Sequence, residues 1–200
     1  MIELKKGFSN PKERIDRTKN TTDNRESDLQ AYEKFCGFNH NDYIGKLILD
    51  IGSSFREKFS QEAKEKGIKV VSMNPELCQK SFKYINIPKK EREEGLHAVS
   101  AMVQNMPFKD DTFDGAVSLY AIPEHLVPKA DEYINSFNET IRVLKPGGKV
   151  SFYPIFKETI ENSVFKDVLN GLENSDFTVE KVEDRYFRLT LTKRLSETNS

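Results

Sequence analysis

The sequence has two cysteines and no tryptophan, and it contains no long apolar run. Cys36 and Cys78 lie far apart, and neither stands at metal-ligand spacing from a histidine, so we expect two reduced thiols and no metal site. No stretch approaches the roughly 20 apolar residues that a membrane-spanning helix needs. Residues 1–5 lack the apolar core of a signal peptide, and we therefore expect a cytoplasmic protein with no membrane partner.

The sequence also lacks an excess of either sign of charge. The chain carries 31 basic and 32 acidic residues, for a net charge of -1. A balance of this kind argues against nucleic acid or an anionic membrane as the main partner. With 200 residues and 36% hydrophobic side chains, the chain is long enough to bury roughly 70% of its unfolded surface in one core.

A strand, a tight turn and a helix follow one another near residue 50. The apolar run Leu47–Ile51 predicts a buried strand, Gly52 and two serines predict a turn, and residues 55–66 favour a helix. Open α/β sheets bind nucleotides at such turns, because helix amides and a close backbone meet at the carboxyl end of the strand. The stretch therefore predicts a binding turn after residue 51.

Strands and helices alternate along the rest of the chain. Ser27 or Asp28 is expected to cap a first helix whose apolar face contains Leu29, Tyr32, Phe35 and Cys36. Further strands are predicted at 68–73, 96–103, 113–119 and 149–153, further helices at 134–144 and 159–172, and a terminal hairpin at 177–182 and 186–193. This order predicts an α/β fold: a Rossmann-like three-layer sandwich with a seven-stranded, mostly parallel sheet and an antiparallel terminal hairpin.

The N-terminal region differs in composition from the rest of the chain. Residues 9–28 are dense in charged and amide side chains with almost no large apolar residue, so we expect an arm or lid rather than a domain. The predicted organisation is an arm and helix at 1–42, one α/β domain at 43–194 and a polar tail at 195–200.

Four segments, taken in order, resemble the small-molecule branch of the class I S-adenosylmethionine-dependent methyltransferases. They are LDIGSS at 49–54, NMPFKDDTFD at 105–114, SLYAIPEH at 118–125 and RVLKPGG at 142–148. The resemblance covers residues 43–194 and implies a Rossmann-like fold, S-adenosylmethionine as cofactor and a small-molecule acceptor, with a partner protein as an alternative. It identifies no catalytic residue.

The resemblance also implies a set of site residues. The first turn, the ends of the second and third strands and the end of the fourth strand would line the cofactor, and the segment after the fourth strand would face the acceptor. The implied cofactor residues are Asp50, Gly52, Ser53, Ser54, Asn74, Met102, Val103 and Leu119, and the implied substrate residues are Tyr120 and His125.

The chain departs from the family pattern at several of these positions. Ser54 and Arg56 stand where the family has its second and third glycines, Asn74 replaces an acid at the ribose, and Met102 replaces an acid near adenine. These departures favour a second hypothesis, a catalytically inactive methyltransferase-fold protein that serves as a binding or scaffolding module. A third hypothesis, an anionic nucleotide as ligand, is motivated by the lost negative charge.

Glu124 and His125 stand next to each other and allow two interpretations. They are either an acid–base pair beside the methyl donor or two residues at the start of a helix, oriented by Pro123.

Overall fold

The computed structural model describes residues 27–53, 58–75 and 97–195. A seven-stranded sheet in the order β3-β2-β1-β4-β5-β7-β6 lies at its centre. The strands are β1 Leu47–Ile51, β2 Lys69–Met73, β3 His97–Val99, β4 Phe113–Leu119, β5 Leu144–Phe156, β6 Ser175–Glu183 and β7 Tyr186–Lys193. The first five strands pair in parallel and the last two join antiparallel at one edge, which confirms the predicted fold class.

Helices cover both faces of this sheet. They are α1 Leu29–Cys36, α2 Lys58–Glu65, α3 Ala130–Val143, α4 Lys157–Glu161 and α5 Ser163–Asn170, with a 3-10 helix at His40–Tyr43. Asp28, rather than Ser27, caps α1, because its carboxylate accepts the Ala31 amide at 2.9 Å. Gly37 ends α1 in the left-handed conformation, with φ 63°.

The core divides into two apolar clusters, because successive residues of a strand point to opposite faces. Ile48 and Val117 pack with α1 and α2 on one face. Leu49 and Phe152 pack with α3 and α5 on the other. Both faces of the central strands are therefore buried, as expected for a parallel sheet covered on both sides.

Three predicted elements were wrong in extent. The strand predicted at 96–103 ends at Val99, because its partner β2 ends at Met73. The strand predicted at 149–153 begins at Leu144 instead, so residues 145–148 lie within β5: Phe113 pairs with Leu144 and Gly115 with Lys149, and the extra residues bulge while the ladder continues.

The predicted helix at 159–172 is the third case, since it is two helices. Asn162 leaves the helical conformation, with ψ 126°, and its side chain accepts the Phe165 amide to start α5. The residue is thus an N-cap rather than part of a continuous helix.

Of the predicted arm at 9–28, residues 9–26 lie outside the described residues. Among the described helices, none combines the length and apolarity needed to cross a membrane.

Candidate functional site

The carboxyl ends of β1 and β4 lie side by side at the point where the strand order reverses. β1 pairs with β2 on one side and with β4 on the other, so the loops after β1 and β4 leave in opposite directions. In open α/β sheets, this divergence opens the crevice in which ligands bind. The predicted binding turn lies at this point.

The turn after β1 requires glycine. Gly52 has φ 79°, and a Cβ placed on it would lie 2.2 Å from the Cβ of Ala121. The amides of Gly52 and Ser53 both donate to the carbonyl of Met73, at 2.7 and 3.2 Å. The turn is therefore hydrogen-bonded to the end of β2 and packs closely against the loop after β4. Ser54 and Arg56 lie outside the described residues.

Asn74 braces the same turn. Its side-chain amide donates to the carbonyl of Ser53 at 2.8 Å, and its backbone amide donates to the carbonyl of Val99 at 3.1 Å. A carboxylate has no proton to donate to a carbonyl. The asparagine thus has a structural use that an acid at this position would not have.

Asp50 is buried, with 3% of its surface exposed. The hydroxyl of Tyr32, from α1, donates to its two carboxylate oxygens at 2.9 and 3.0 Å. Burial, and then the Asp50 charge, raise the pKa of Tyr32 well above its ordinary value. The Tyr32 ring stacks on Phe59 of α2, with centroids 3.9 Å apart.

Sequence reasoning placed Tyr32 only on the apolar face of its helix and missed this contact. The hydroxyl of Tyr32 could have indicated such a contact, because a buried tyrosine hydroxyl usually finds a hydrogen-bond partner.

Tyr120 follows β4 in an unusual conformation. Its φ is 60°, a value that is costly for a bulky residue, and 48% of its surface is exposed. Its amide donates to the carbonyl of Tyr153 at 2.6 Å, and Nε2 of His125 donates to its carbonyl at 3.0 Å. Two hydrogen bonds therefore hold the strained residue in place, and its ring contacts Phe35 and Tyr153.

Glu124 and His125 have different partners. The carboxylate of Glu124 accepts the Phe156 amide at 2.9 Å and the Thr159 hydroxyl at 3.2 Å, so it ties the loop after β4 to the end of β5. Burial raises the pKa of Glu124. Residues 121–129 form turns rather than a helix, so the helix-start interpretation is wrong.

The remaining predicted residues differ in location. Leu119 is buried at the end of β4 and packs with the α1 side of the core. Val103 is buried in the opposite cluster. Met102 is 55% exposed and pairs with Asn105 in a bridge beyond the end of β3. The structure thus brings Asp50, Gly52, Ser53, Asn74, Leu119 and Tyr120 to the strand ends, and places Met102 and Val103 past the third strand.

A family model described as a methyltransferase domain matches residues 49–152, just over half of the 200-residue chain. A sterol 4-C-methyltransferase from Caenorhabditis elegans is 32% identical over 114 residues, 57% of this chain and 29% of the relative. A phthiotriol/phenolphthiotriol dimycocerosates methyltransferase from Mycobacterium ulcerans is 23% identical over 169 residues, 73% of this chain and 57% of the relative. The chain thus spans 29% to 57% of the length of these curated relatives.

Solved structures share this fold. A protein from Methanococcus maripaludis, assigned as an S-adenosyl-L-methionine-dependent methyltransferase, superposes with a TM-score of 0.64 and 18% identity, covering 99% of each chain. At this identity, the likeness shows the fold.

Proposed function

Because the chain belongs to the methyltransferase domain family, we propose that it uses S-adenosylmethionine to methylate a small molecule. Family membership confirms the resemblance seen in the four segments. The curated relatives include a sterol methyltransferase and a phthiotriol/phenolphthiotriol dimycocerosates methyltransferase, which supports a small-molecule acceptor. The net charge of -1 also supports a small molecule over nucleic acid or a membrane surface.

The observation that carries this proposal is the contact between Gly52 and the loop after β4. The left-handed turn and the missing side chain leave Ala121 directly over the backbone at Gly52. The residues fit a cofactor with a polar amino-acid end, because backbone groups and the braced Ser53–Asn74 pair meet beside an apolar strand end. In this proposal, Gly52 and Ser53 hold the methionine end and Asn74 lies toward the ribose.

Methyl transfer makes modest demands on the protein. When bound, S-adenosylmethionine supplies a methyl group on positively charged sulfur; the methyl carbon bonds to a nucleophilic atom of the acceptor, and the sulfur keeps the electron pair of the broken bond. The acceptor loses one proton, which passes to solvent water. The protein contributes mainly proximity and in-line orientation. His125 donates to the Tyr120 carbonyl, so we assign it the positioning of Tyr120.

Calorimetric titration with S-adenosylhomocysteine, the demethylated product, tests the proposal. We expect saturable heat, because Gly52, Ser53 and Asn74 already form a braced turn. The absence of heat at millimolar ligand would sink the proposal and favour the second hypothesis, a binding or scaffolding module motivated by Ser54, Arg56 and Met102.

A further inference from the structure

Five aromatic rings meet at the edge of the sheet beside Tyr120. We call this set the aromatic strip: Phe35, Tyr120, Tyr153, Tyr186 and Phe156. The centroid of Tyr153 lies 4.9 Å from that of Phe35, 6.0 Å from Tyr120 and 6.3 Å from Tyr186, and Tyr186 lies 5.6 Å from Phe156. The rings thus form one continuous set of contacts.

The strip is buried at its centre and open at its ends. Tyr153 is 1% exposed, while Tyr120 is 48% and Phe156 is 38% exposed. Phe156 ends β5 and Tyr186 begins the antiparallel strand β7, so both lie at the same edge as the end of β4. The two exposed rings therefore lie at the ends of a set whose central ring, Tyr153, is buried.

One end of the strip, Tyr120, lies close in space to the proposed cofactor turn. Tyr120 directly precedes Ala121, the residue that approaches Gly52. Its positive φ is held by hydrogen bonds to Tyr153 and His125. Strained backbone of this kind persists only where the surroundings over-determine it, and it clusters at functional sites. A molecule on the strip would have one end beside the proposed methyl donor.

Three charged residues that border the strip already have partners. Glu183 accepts the Tyr153 hydroxyl at 3.1 Å and pairs with Lys34 at 3.6 Å. Lys34 also lies 4.5 Å above the Phe35 ring. The carboxylate of Glu124 accepts the Phe156 amide. Because these charged groups already have hydrogen-bond or ion-pair partners, the surface favours a neutral ligand, and its aromatic rings favour another flat ring over a flexible chain.

We propose that the methyl acceptor is a neutral molecule with a flat, unsaturated ring system that stacks on the aromatic strip. This inference rests on the proposed methyl transfer and specifies its substrate class. Tyr120 and Phe156 would be specificity-determining residues at the two open ends of the strip.

Saturation-transfer NMR titrations with 2-naphthol and 1-octanol test the proposal. The first ligand is a flat aromatic ring system, and the second is a flexible apolar chain of similar hydrophobicity. We expect tighter binding of 2-naphthol. Tyr120→Leu and Phe156→Leu keep apolar bulk but lose the ring, so each should weaken 2-naphthol binding by about 2- to 10-fold and leave 1-octanol binding nearly unchanged.

Phe177→Leu is the matched control. Phe177 is 39% exposed, like Phe156, but lies on β6 outside the strip, beside Phe165 and Leu169, so its replacement should leave the preference for 2-naphthol over 1-octanol unchanged. Equal affinity for both ligands, unchanged 2-naphthol binding in Tyr120→Leu and Phe156→Leu, or an equal loss in Phe177→Leu would overturn the proposal. Circular dichroism verifies that each variant is folded.

The titration with S-adenosylhomocysteine separates this inference from the proposed function. If S-adenosylhomocysteine binds but 2-naphthol is not preferred, only the proposal of an aromatic acceptor is wrong. If 2-naphthol is still preferred but S-adenosylhomocysteine does not bind, the proposed methyl transfer is wrong. The strip then has no role in binding a methyl acceptor.

Discussion

Tyr32 donates its hydroxyl to both carboxylate oxygens of Asp50, at 2.9 and 3.0 Å, and so joins the first described helix to the strand that leads into the turn at Gly52. α1 is itself tied to α2, because Glu62 accepts the Leu29 amide at 2.8 Å. The two helices and β1 thus act together to position the turn. The contact makes Asp50 part of a buried polar pair, in which both members depend on the hydrogen bond.

Tyr32→Phe should therefore destabilise the protein by roughly 1–3 kcal/mol, because a buried carboxylate loses a donor while the ring packing on Phe59 stays. We also expect weaker S-adenosylhomocysteine binding, measured by calorimetry, since Asp50 adjoins the turn. Tyr133→Phe is the control: Tyr133 is similarly buried, on the other face, where it contacts Phe137 and Phe165. An equal loss of cofactor affinity in both variants would contradict a local role for Tyr32.

Alkaline pH should destabilise the protein through the same residue. The folded-state pKa of Tyr32 lies above its unfolded value of about 10. The unfolded chain therefore releases this proton first, so the stabilising contribution is full below pH 10 and is lost as the pH rises toward the folded pKa. Urea denaturation between pH 9 and 11 should show a shallower decline for Tyr32→Phe than for the unaltered protein. Parallel declines would refute the assignment.

Gly52→Ala should abolish cofactor binding, while Gly45→Ala should not. Both glycines have φ 79°, so both replacements incur the left-handed backbone cost of roughly 1–2 kcal/mol. Only at Gly52 does the new Cβ meet Ala121 at 2.2 Å; at Gly45, nothing in the described part of the chain lies within 4 Å. Calorimetry with S-adenosylhomocysteine measures the difference. Equal affinities for the two variants would show that the close approach at Gly52 has no role in binding.

Asn74→Asp should destabilise the turn by about 1–3 kcal/mol rather than improve it. The change removes the 2.8 Å hydrogen bond to the Ser53 carbonyl and brings a negative charge against that oxygen. Urea denaturation at pH 7 measures the effect, with Asn135→Asp, an exposed position on α3, as control. A more stable or equally stable Asn74→Asp protein would show that the brace contributes nothing.

Arg142→Met should destabilise the loop that precedes β4. The guanidinium donates to Glu139, to Asp110 at 2.6 Å, and to the carbonyls of Phe108 and Met106 at 2.8 and 3.2 Å. Its loss leaves partly buried acceptors without this donor, so we expect a cost of about 1–3 kcal/mol. Arg194→Met, which removes an exposed ion pair with Asp176, should cost less than about 1 kcal/mol.

The same contact predicts a pH dependence. Hydrogen bonding from Arg142 lowers the pKa of Glu139 below its usual 4.5. The stabilisation is thus present above pH 4.5 and is lost as the pH falls through the folded-state pKa. Acid denaturation followed by circular dichroism should show a weaker dependence on pH below 4.5 in Arg142→Met. An unchanged acid limb would contradict the pairing.

Local signals predicted most of the strands and helices. Leu47–Ile51 and Phe113–Leu119 carry apolar runs bounded by turn residues, and both are strands of the predicted length. The errors arose where a contact with another part of the structure determines where a strand or helix ends. Val99 is the last residue of β3, opposite Met73 at the end of β2, and Asn162 divides a helix because its side chain bonds the backbone.

The order of elements, the turn at Gly52 and the family resemblance could all be predicted from the sequence, because each depends on residues adjacent in the chain. The side-chain contacts could not, since they depend on the assembled sheet. Tyr32 finds Asp50 across 18 positions, and Asn74 finds the Ser53 carbonyl across 21. The aromatic strip draws its rings from α1, β5, β7 and the loop after β4. These contacts form only when the sheet aligns its strand ends, so local composition does not specify them.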